Sequence, residues 1–295
     1  MLVLNFKKID AFTKGLSSGN PAGYVYMDSS DLLSDEEMQK VAAELKGFVC
    51  EVGYVNRRDK VFELRYFSSE CEVAFCGHAT IAIMYDLISS DPELLKEKEL
   101  TMKVHAGELT AFNHIKDEDA VYIMAPKPQF LERKIKWNEI FSALDAEEAA
   151  FSTKIPFQVI DGGLRTLIIP MTSLNECLSL SPDQETLKQF CMEKDIDIVH
   201  VYSKDTSNPE MKYRTRVFAP RFGYLEDPAT GSGNSAFGYY LIHNNLWTED
   251  FSIEQGVSLQ NPNVVKLKRY TENNTDRILF GGCATTRIEG KYYLH

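Results

Sequence analysis

Two stretches of this chain are apolar around the whole circumference of a helix. Ile81 to Ile88 carries one charge, Asp86, and Ser235 to Ile242 carries none. A helix without a polar face has to be enclosed by other elements rather than laid on a surface. Each follows a glycine-containing turn, Cys76-Gly-His-Ala-Thr80 in one case and Asp227-Pro-Ala-Thr-Gly231-Ser232-Gly-Asn in the other. A helix N-terminus offers unpaired N–H groups and the positive end of the helix dipole. Gly77 with His78, and Gly231 with Ser232, therefore lie where an anion would be held. Each opening reads as half of an active site.

The intervening pattern is mostly strand. Leu2 to Asp10, Tyr24 to Met27, Phe48 to Val55, Val61 to Phe67, Val73 to Phe75, Leu100 to Phe112 (two strands about Gly107) and Ala120 to Met124 alternate or are apolar over strand lengths. Gly19-Asn20-Pro21 predicts a tight loop whose amide groups could meet a ligand or merely connect two strands. Ser34-Asp-Glu-Glu37 has the cap and acidic first turn of a helix continuing through Met38, Val41, Ala42 and Leu45 to Gly47. Glu51 is a lone carboxylate inside an apolar strand, on the face of Val49 and Gly53. It either faces solvent or sits in a dry pocket, where burial brings a carboxyl towards the range useful for proton transfer.

The second half repeats this order. Phe157 to Ile169 reads as strand, turn, strand, Ser181 to Lys194 as a helix, and Ile196 to Tyr202 and Tyr213 to Phe218 as strands. Phe251 to Ile253, Val264 to Arg269 and Arg277 to Phe280 supply closing strands. Asp161 lies 151 residues beyond Asp10, Phe218 lies 151 beyond Phe67, and Gly231 lies 154 beyond Gly77. Three pairs at nearly one offset point to a duplication. Pro126 and Pro128 mark the junction, giving domains 1–125 and 126–283. The strand-like end, near 284–295 with Tyr292 and Tyr293, is expected to return to the first domain. The predicted class is α+β, two pseudo-symmetric domains, each a curved, mostly antiparallel sheet around one buried helix.

Composition narrows the function. At 295 residues, 44% hydrophobic and 25% charged, the chain has the make-up of an ordinary globular protein. A net charge of −11 argues against nucleic acid or an anionic membrane as partner. No apolar run reaches membrane-spanning length and the N-terminus lacks a signal-peptide pattern, so a cytoplasmic location is expected. The six cysteines are scattered, as free thiols are. Cys71-x4-Cys76-x-His78 lacks the second ligand pair of a zinc site, so no metal is expected.

Asp10-Ala-Phe-Thr, Gly19-Asn-Pro-Ala-Gly23, Glu51, Arg65-Tyr-Phe67, Glu72-Val, Cys76-Gly-His-Ala-Thr80, Glu226-Asp-Pro-Ala-Thr-Gly-Ser232 and Glu254-Gln-Gly256 together resemble the PhzF-like (phenazine biosynthesis) family of the diaminopimelate epimerase fold. The resemblance implies a cofactor-free isomerase, usually a homodimer, that moves a proton between carbons of a small carboxylic acid at the cleft between its domains. It makes Glu51 the general acid/base, assisted by His78 and Asp227. Asn20, Gly77, Gly231 and Ser232 would bind substrate. Three departures from the family pattern involve four positions: Cys50 and Val52 flank Glu51 where hydroxyl residues are common, Ser17 replaces an aromatic residue, and Ser69 replaces a proline. The first bears on how Glu51 is oriented, and the others on the pocket.

Three other readings stay open. Cys76 could serve a two-thiol racemase or epimerase, but Thr230-Gly-Ser232 offers no second thiol. Gly231-Ser-Gly-Asn-Ser-Ala236 matches a dinucleotide fingerprint, yet no apolar strand precedes it. A non-catalytic protein that binds small acids is the third, since a fold does not fix a function.

Overall fold

The computed structural model describes residues 1–27, 33–272 and 275–295. The chain divides into two compact units, one of Met1–Met124 with Gly281–His295 and one of Ala125–Phe280.

The first unit contains β1 (Leu2–Ala11), β2 (Asn20–Met27), α1 (Asp35–Glu44), β3 (Glu51–Arg58), β4 (Val61–Ser68), β5 (Glu72–Val73), α2 (Gly77–Ser90), β6 (Glu99–Val104), β7 (Gly107–Asn113), α3 (Ile115–Glu118) and β8 (Val121–Met124). β1–β2, β3–β4, β4–β5, β6–β7 and β7–β8 pair antiparallel, whereas β2–β3 and β4–β6 are parallel. The two parallel joints arise where a helix carries the chain across, α1 in one case and α2 in the other, as parallel pairing requires. The C-terminal strand (Ala284–Leu294) runs antiparallel to β1 along its full length, from Leu2 opposite Leu294 to Ala11 opposite Ala284.

α2 is the axis of this unit. Ala79 through Met84, Asp86 and Ile88 are buried, and the helix packs on β1, β2, β3, β8 and the C-terminal strand. Its one charge, Asp86, sits in the last turns, where the dipole disfavours an anion. Lys7 Nζ at 2.9 Å and the Thr286 hydroxyl at 2.9 Å compensate it. Gly53 is what lets helix and sheet approach, because a Cβ there would lie 2.3 Å from Ile83 Cδ1.

The second unit repeats the wiring: β9 (Gln129–Leu131), α4 (Trp137–Leu144), β10 (Gln158–Asp161), β11 (Arg165–Pro170), α5 (Leu174–Ser179), α6 (Gln184–Glu193), β12 (Ile198–Ser203), β13 (Tyr213–Phe218), β14 (Glu226–Asp227), α7 (Gly231–His243), β15 (Phe251–Gln255), β16 (Asn263–Glu272) and β17 (Thr275–Gly282). β10–β11 is antiparallel, β11–β12 parallel, β12–β13 and β13–β14 antiparallel, β13–β15 parallel and β15–β16 antiparallel. This is the order and sense of β1 to β7. α7 is buried from Gly233 through Leu241 and packs on β10, β11, β12 and β16.

The duplication extends to single hydrogen bonds. Arg65 Nε and Nη2 grip Glu72 at 2.8 Å each, and Arg216 Nε and Nη2 grip Glu226 at 3.0 and 2.9 Å. Each guanidinium also lies over a phenylalanine two residues on, Arg65 over Phe67 at 5.1 Å and Arg216 over Phe218 at 4.9 Å.

Several sequence expectations are corrected locally. Asn20 and Pro21 begin β2 instead of forming a loop, because the connection from β1 turns earlier, through left-handed Phe12, Gly15 and Gly19, and Asn20 is already opposite Ala11. The strand around Glu51 begins at that residue; Val49 makes only an isolated bridge to Lys46. The strand before α2 ends at Val73, and the helix expected from Ser181 starts at Gln184, capped by Asp183 onto Thr186 N at 2.8 Å.

Candidate active site

In the first unit, β3 and the N-terminus of α2 bring three of the singled-out residues together. Glu51 opens β3 and His78 is the second residue of α2. Glu51 Oε2 lies 3.3 Å from His78 Nε2 and 3.6 Å from Cys76 Sγ. Cys76 Sγ is 3.5 Å from His78 Nδ1 and 4.0 Å from Nε2. The side chains of Glu51 and His78 are 23% and 13% exposed, so a small ligand can reach them while bulk water is largely excluded.

The chain folds to this arrangement for local reasons. Cys76 is the extended N-cap of α2, and no side-chain oxygen caps the helix. Thr80 ties the first turn back by donating its hydroxyl to Cys76 O at 2.6 Å, and buried Tyr66 on β4 shares a 2.6 Å hydrogen bond with the Thr80 hydroxyl. Burial drives the Cys76 thiol pKa well up, the Glu51 charge adds to this, and the Ala79 N–H only partly offsets it. The thiol is therefore protonated at neutral pH and acts as a donor to Glu51. Cys50 is exposed beside this group, donating to Asn20 Oδ1 at 3.8 Å; Asn20 is buried on β2. Gly77, half-buried, is the first residue of α2.

The corresponding place in the second unit is polar. Asp227, buried on β14, accepts the Thr230 hydroxyl. Thr230 stands at the N-cap of α7, where Cys76 stands for α2. Gln255 accepts from Thr230 N at 3.0 Å and Asn234 Nδ2 at 2.7 Å, and donates to Asp227 O at 2.9 Å. Gly231 is packed under Phe280, 2.5 Å from where a Cβ would be, and Ser232 is half-buried at the second residue of α7.

The sequence reading missed Gln255 as part of this network, and missed Cys50 as a neighbour of the Glu51 group. Only the Glu254-Gln-Gly256 block and the substitution at position 50 hinted at either. Cys71, considered with Cys76 and His78 as a ligand, is elsewhere: it is exposed and turns with Ser68.

Comparison with known proteins defines the class. A family model described as "Phenazine biosynthesis-like protein" matches residues 9–290. An uncharacterized isomerase of Clostridium acetobutylicum is 28% identical over 90% of this chain and 89% of its own. Antisense-enhancing sequence 1 of Schizosaccharomyces pombe is 31% identical over 98% of this chain and 99% of its own. The crystal structure of the Bacillus anthracis phenazine biosynthesis protein of the PhzF family superposes with a TM-score of 0.88, at 25% identity, over 99% of this chain and 100% of that one. Two units of matching topology, each wrapped about an enclosed helix, give the chain the diaminopimelate epimerase-like fold, and the relatives named isomerases place it in the isomerase class. The chain belongs to the phenazine biosynthesis-like, or PhzF-like, family. No helix among the described residues is long and apolar enough to cross a membrane.

Proposed function

We propose that the protein moves a proton between carbon atoms of a small carboxylic acid, without metal or coenzyme, with Glu51 as the general acid/base. One observation carries this reading: the Glu51 carboxylate is held 3.3 Å from the His78 imidazole, at the N-terminus of an enclosed helix. Glu51 takes a proton from a carbon next to a conjugated acid. His78 shares the negative charge that alternates between Glu51 and substrate, and the N–H groups opening α2, from Gly77 on, stabilise the delocalised anion as it develops. In the same reading Asp227, with Ser232 and Gly231, serves the second proton position or the substrate carboxylate, and Asn20 contacts substrate. The active form is a homodimer, testable by sedimentation.

The test is solvent-deuterium incorporation into a panel of small cyclic and amino acids. Glu51→Gln, isosteric but unable to take the proton, is expected to slow exchange by about 10²–10⁴-fold. Unchanged exchange in that variant would remove Glu51 from the mechanism.

A second reading makes Cys76 the base of a one-thiol epimerase, favoured by its contact with both Glu51 and His78. The upward shift of its pKa opposes this, because the nucleophilic and basic form is the thiolate. Cys76→Ala keeping most of the exchange decides for Glu51, and abolition of exchange in that variant decides for the thiol.

A further inference from the structure

The Glu51 group has the composition and spacing of a metal site. The donor atoms of Cys50, Glu51 and His78 all lie within 4.8 Å of one another. Cys76 Sγ adds a further donor, 3.6 Å from Glu51 Oε2 and 4.0 Å from His78 Nε2, with 3.3 Å between those two. A tetrahedral cation with bonds of about 2.0–2.3 Å sets its ligands about 3.3–3.8 Å apart. Glu51, Cys76 and His78 therefore stand close to one tetrahedral face, and Cys50, within 4.8 Å of Glu51 and His78 but outside that range as part of a set with Cys76, has to draw in to complete the fourth vertex. Cys50 is exposed and approaches from the solvent side. Two thiols, one imidazole and one carboxylate suit zinc and similar borderline-to-soft ions, and suit magnesium or calcium poorly.

We propose that Cys50, Glu51, Cys76 and His78 take up one thiophilic divalent cation of the zinc type, and that occupancy switches the protein off. Binding exchanges two S–H protons for two metal–sulfur bonds, and both protons leave to solvent, so uptake falls as pH is lowered. The cation then holds the carboxylate lone pair that would receive the substrate proton. Metal and proton compete for one oxygen. The binding half of this proposal stands on the donor geometry alone, and the inhibitory half rests on Glu51 being the base.

Cobalt(II) serves as the spectroscopic probe on the full chain after metal stripping. One equivalent is expected to raise a near-ultraviolet sulfur-to-cobalt band together with the intense visible bands of tetrahedral coordination. Cys50→Ser is expected to weaken cobalt and zinc binding by about tenfold or more, comparable with other losses at metal sites. Whatever deuterium exchange this variant retains without metal should be resistant to zinc. Zinc K-edge absorption of the parent chain, with two sulfur and two nitrogen or oxygen neighbours, supports the ligand set without relying on any variant.

Absence of the cobalt bands overturns the proposal, as does an octahedral spectrum. Binding that persists undiminished in both Cys50→Ser and His78→Ala also overturns it, because the ion then sits elsewhere. If zinc binds as described but exchange in the parent continues at saturation, the inhibitory half fails. If exchange is unaltered in metal-free Glu51→Gln, the proposed base fails while the cation site stands.

Discussion

His200 lies on β12 with its ring stacked on Phe237, 5.0 Å between centroids, and its Nε2 3.2 Å from Asn234 Oδ1. Asn234 donates its own amide protons to Thr230 O and Gln255 Oε1, so its oxygen must be the acceptor and His200 Nε2 the donor. Nδ1 is then bare, and it has no partner among the described residues. Burial pushes the pKa down to about 4 from 6.5, with the Asn234 hydrogen bond opposing. Between those values the unfolded chain binds a proton that the folded one does not. Stability therefore falls as pH drops through this window, by on the order of 3 kcal/mol in total. Above pH 6.5 the residue contributes no slope. His200→Gln should flatten the dependence: its melting temperature should change less between pH 7 and pH 5 than that of the parent. Equal changes in both proteins would remove the histidine from acid sensitivity.

A second residue-scale expectation concerns thiol chemistry. Cys50 and Cys71 are exposed, whereas Cys76 is buried and burial holds its thiol protonated. Iodoacetamide near pH 7.5 should alkylate the first two well before Cys76, and mass spectrometry of quenched samples reads the order. Early labelling of Cys76 would show a thiolate there and would revive the one-thiol epimerase.

At the scale of elements, the contact of Gly53 on β3 with Ile83 on α2 fixes how closely helix and sheet approach. Gly53→Ala drives a methyl into Ile83 Cδ1 and should cost about 1–3 kcal/mol through overpacking. Ile83→Val removes that same Cδ1 and alone should cost about 0.5–1.5 kcal/mol. The double variant should lose less than the sum, because the deleted carbon makes room for the added one. Strict additivity in urea unfolding would refute the contact.

The paired arginines offer a contrast of the same kind. Arg216 is buried and also donates to Cys177 O, Leu178 O and Leu180 O at the C-terminal end of α5, while Arg65 is a third exposed. Arg216→Met strands Glu226 and three carbonyls and should cost about 3–5 kcal/mol. Arg65→Met, with its partners in reach of water, should cost about 1 kcal/mol or less. Similar costs at the two sites would mean that burial does not govern the pair.

These elements also show what a sequence can disclose. α2 and α7 are legible because a helix apolar all round admits only enclosure, and the 151-residue offset is legible because both copies keep Arg-x-Phe in the same strand. The sequence reading misses α4 and α5, which are only eight and six residues long, although Trp137, Ile140, Phe141 and Leu144 of α4 recur at helical spacing. Nor does it disclose that Arg214 and Glu254, 40 residues apart, form a fully buried pair at 2.8 Å. Charge in a strand reads as surface until the partner strand is known. For the candidate site, Glu51 and His78 stand out from their apolar neighbours, but the approach of Cys50 to them follows from where β3 begins. The register sets that point, and composition does not.

At the scale of the whole molecule, the order of the chain sets an unusual folding problem. β1 opens the sequence and pairs along all ten of its residues with a strand that closes it, Leu2 opposite Leu294. All of Ala125–Phe280 intervenes, and that segment is a compact unit with its own core. Closing so long a loop costs entropy that grows only with the logarithm of its length. A second unit that folds by itself shortens the loop still to be closed. Met1–Met124 therefore remains incomplete until the end of the chain is available, whereas Ala125–Phe280 is continuous. The segment 125–280 alone should unfold cooperatively in urea. A chain ending at Cys283 should keep hydrogen-exchange protection in β11 to β13 and lose it in β1, which is left with β2 as its remaining antiparallel neighbour. It should lose protection in β2 as well, because Leu294 and the half-buried Tyr292 leave the core that holds Phe6 and Val25. Retained protection in β1 and β2 of the truncated chain would mean that the first unit is held together from within, and that its C-terminal strand is an addition rather than a closing member.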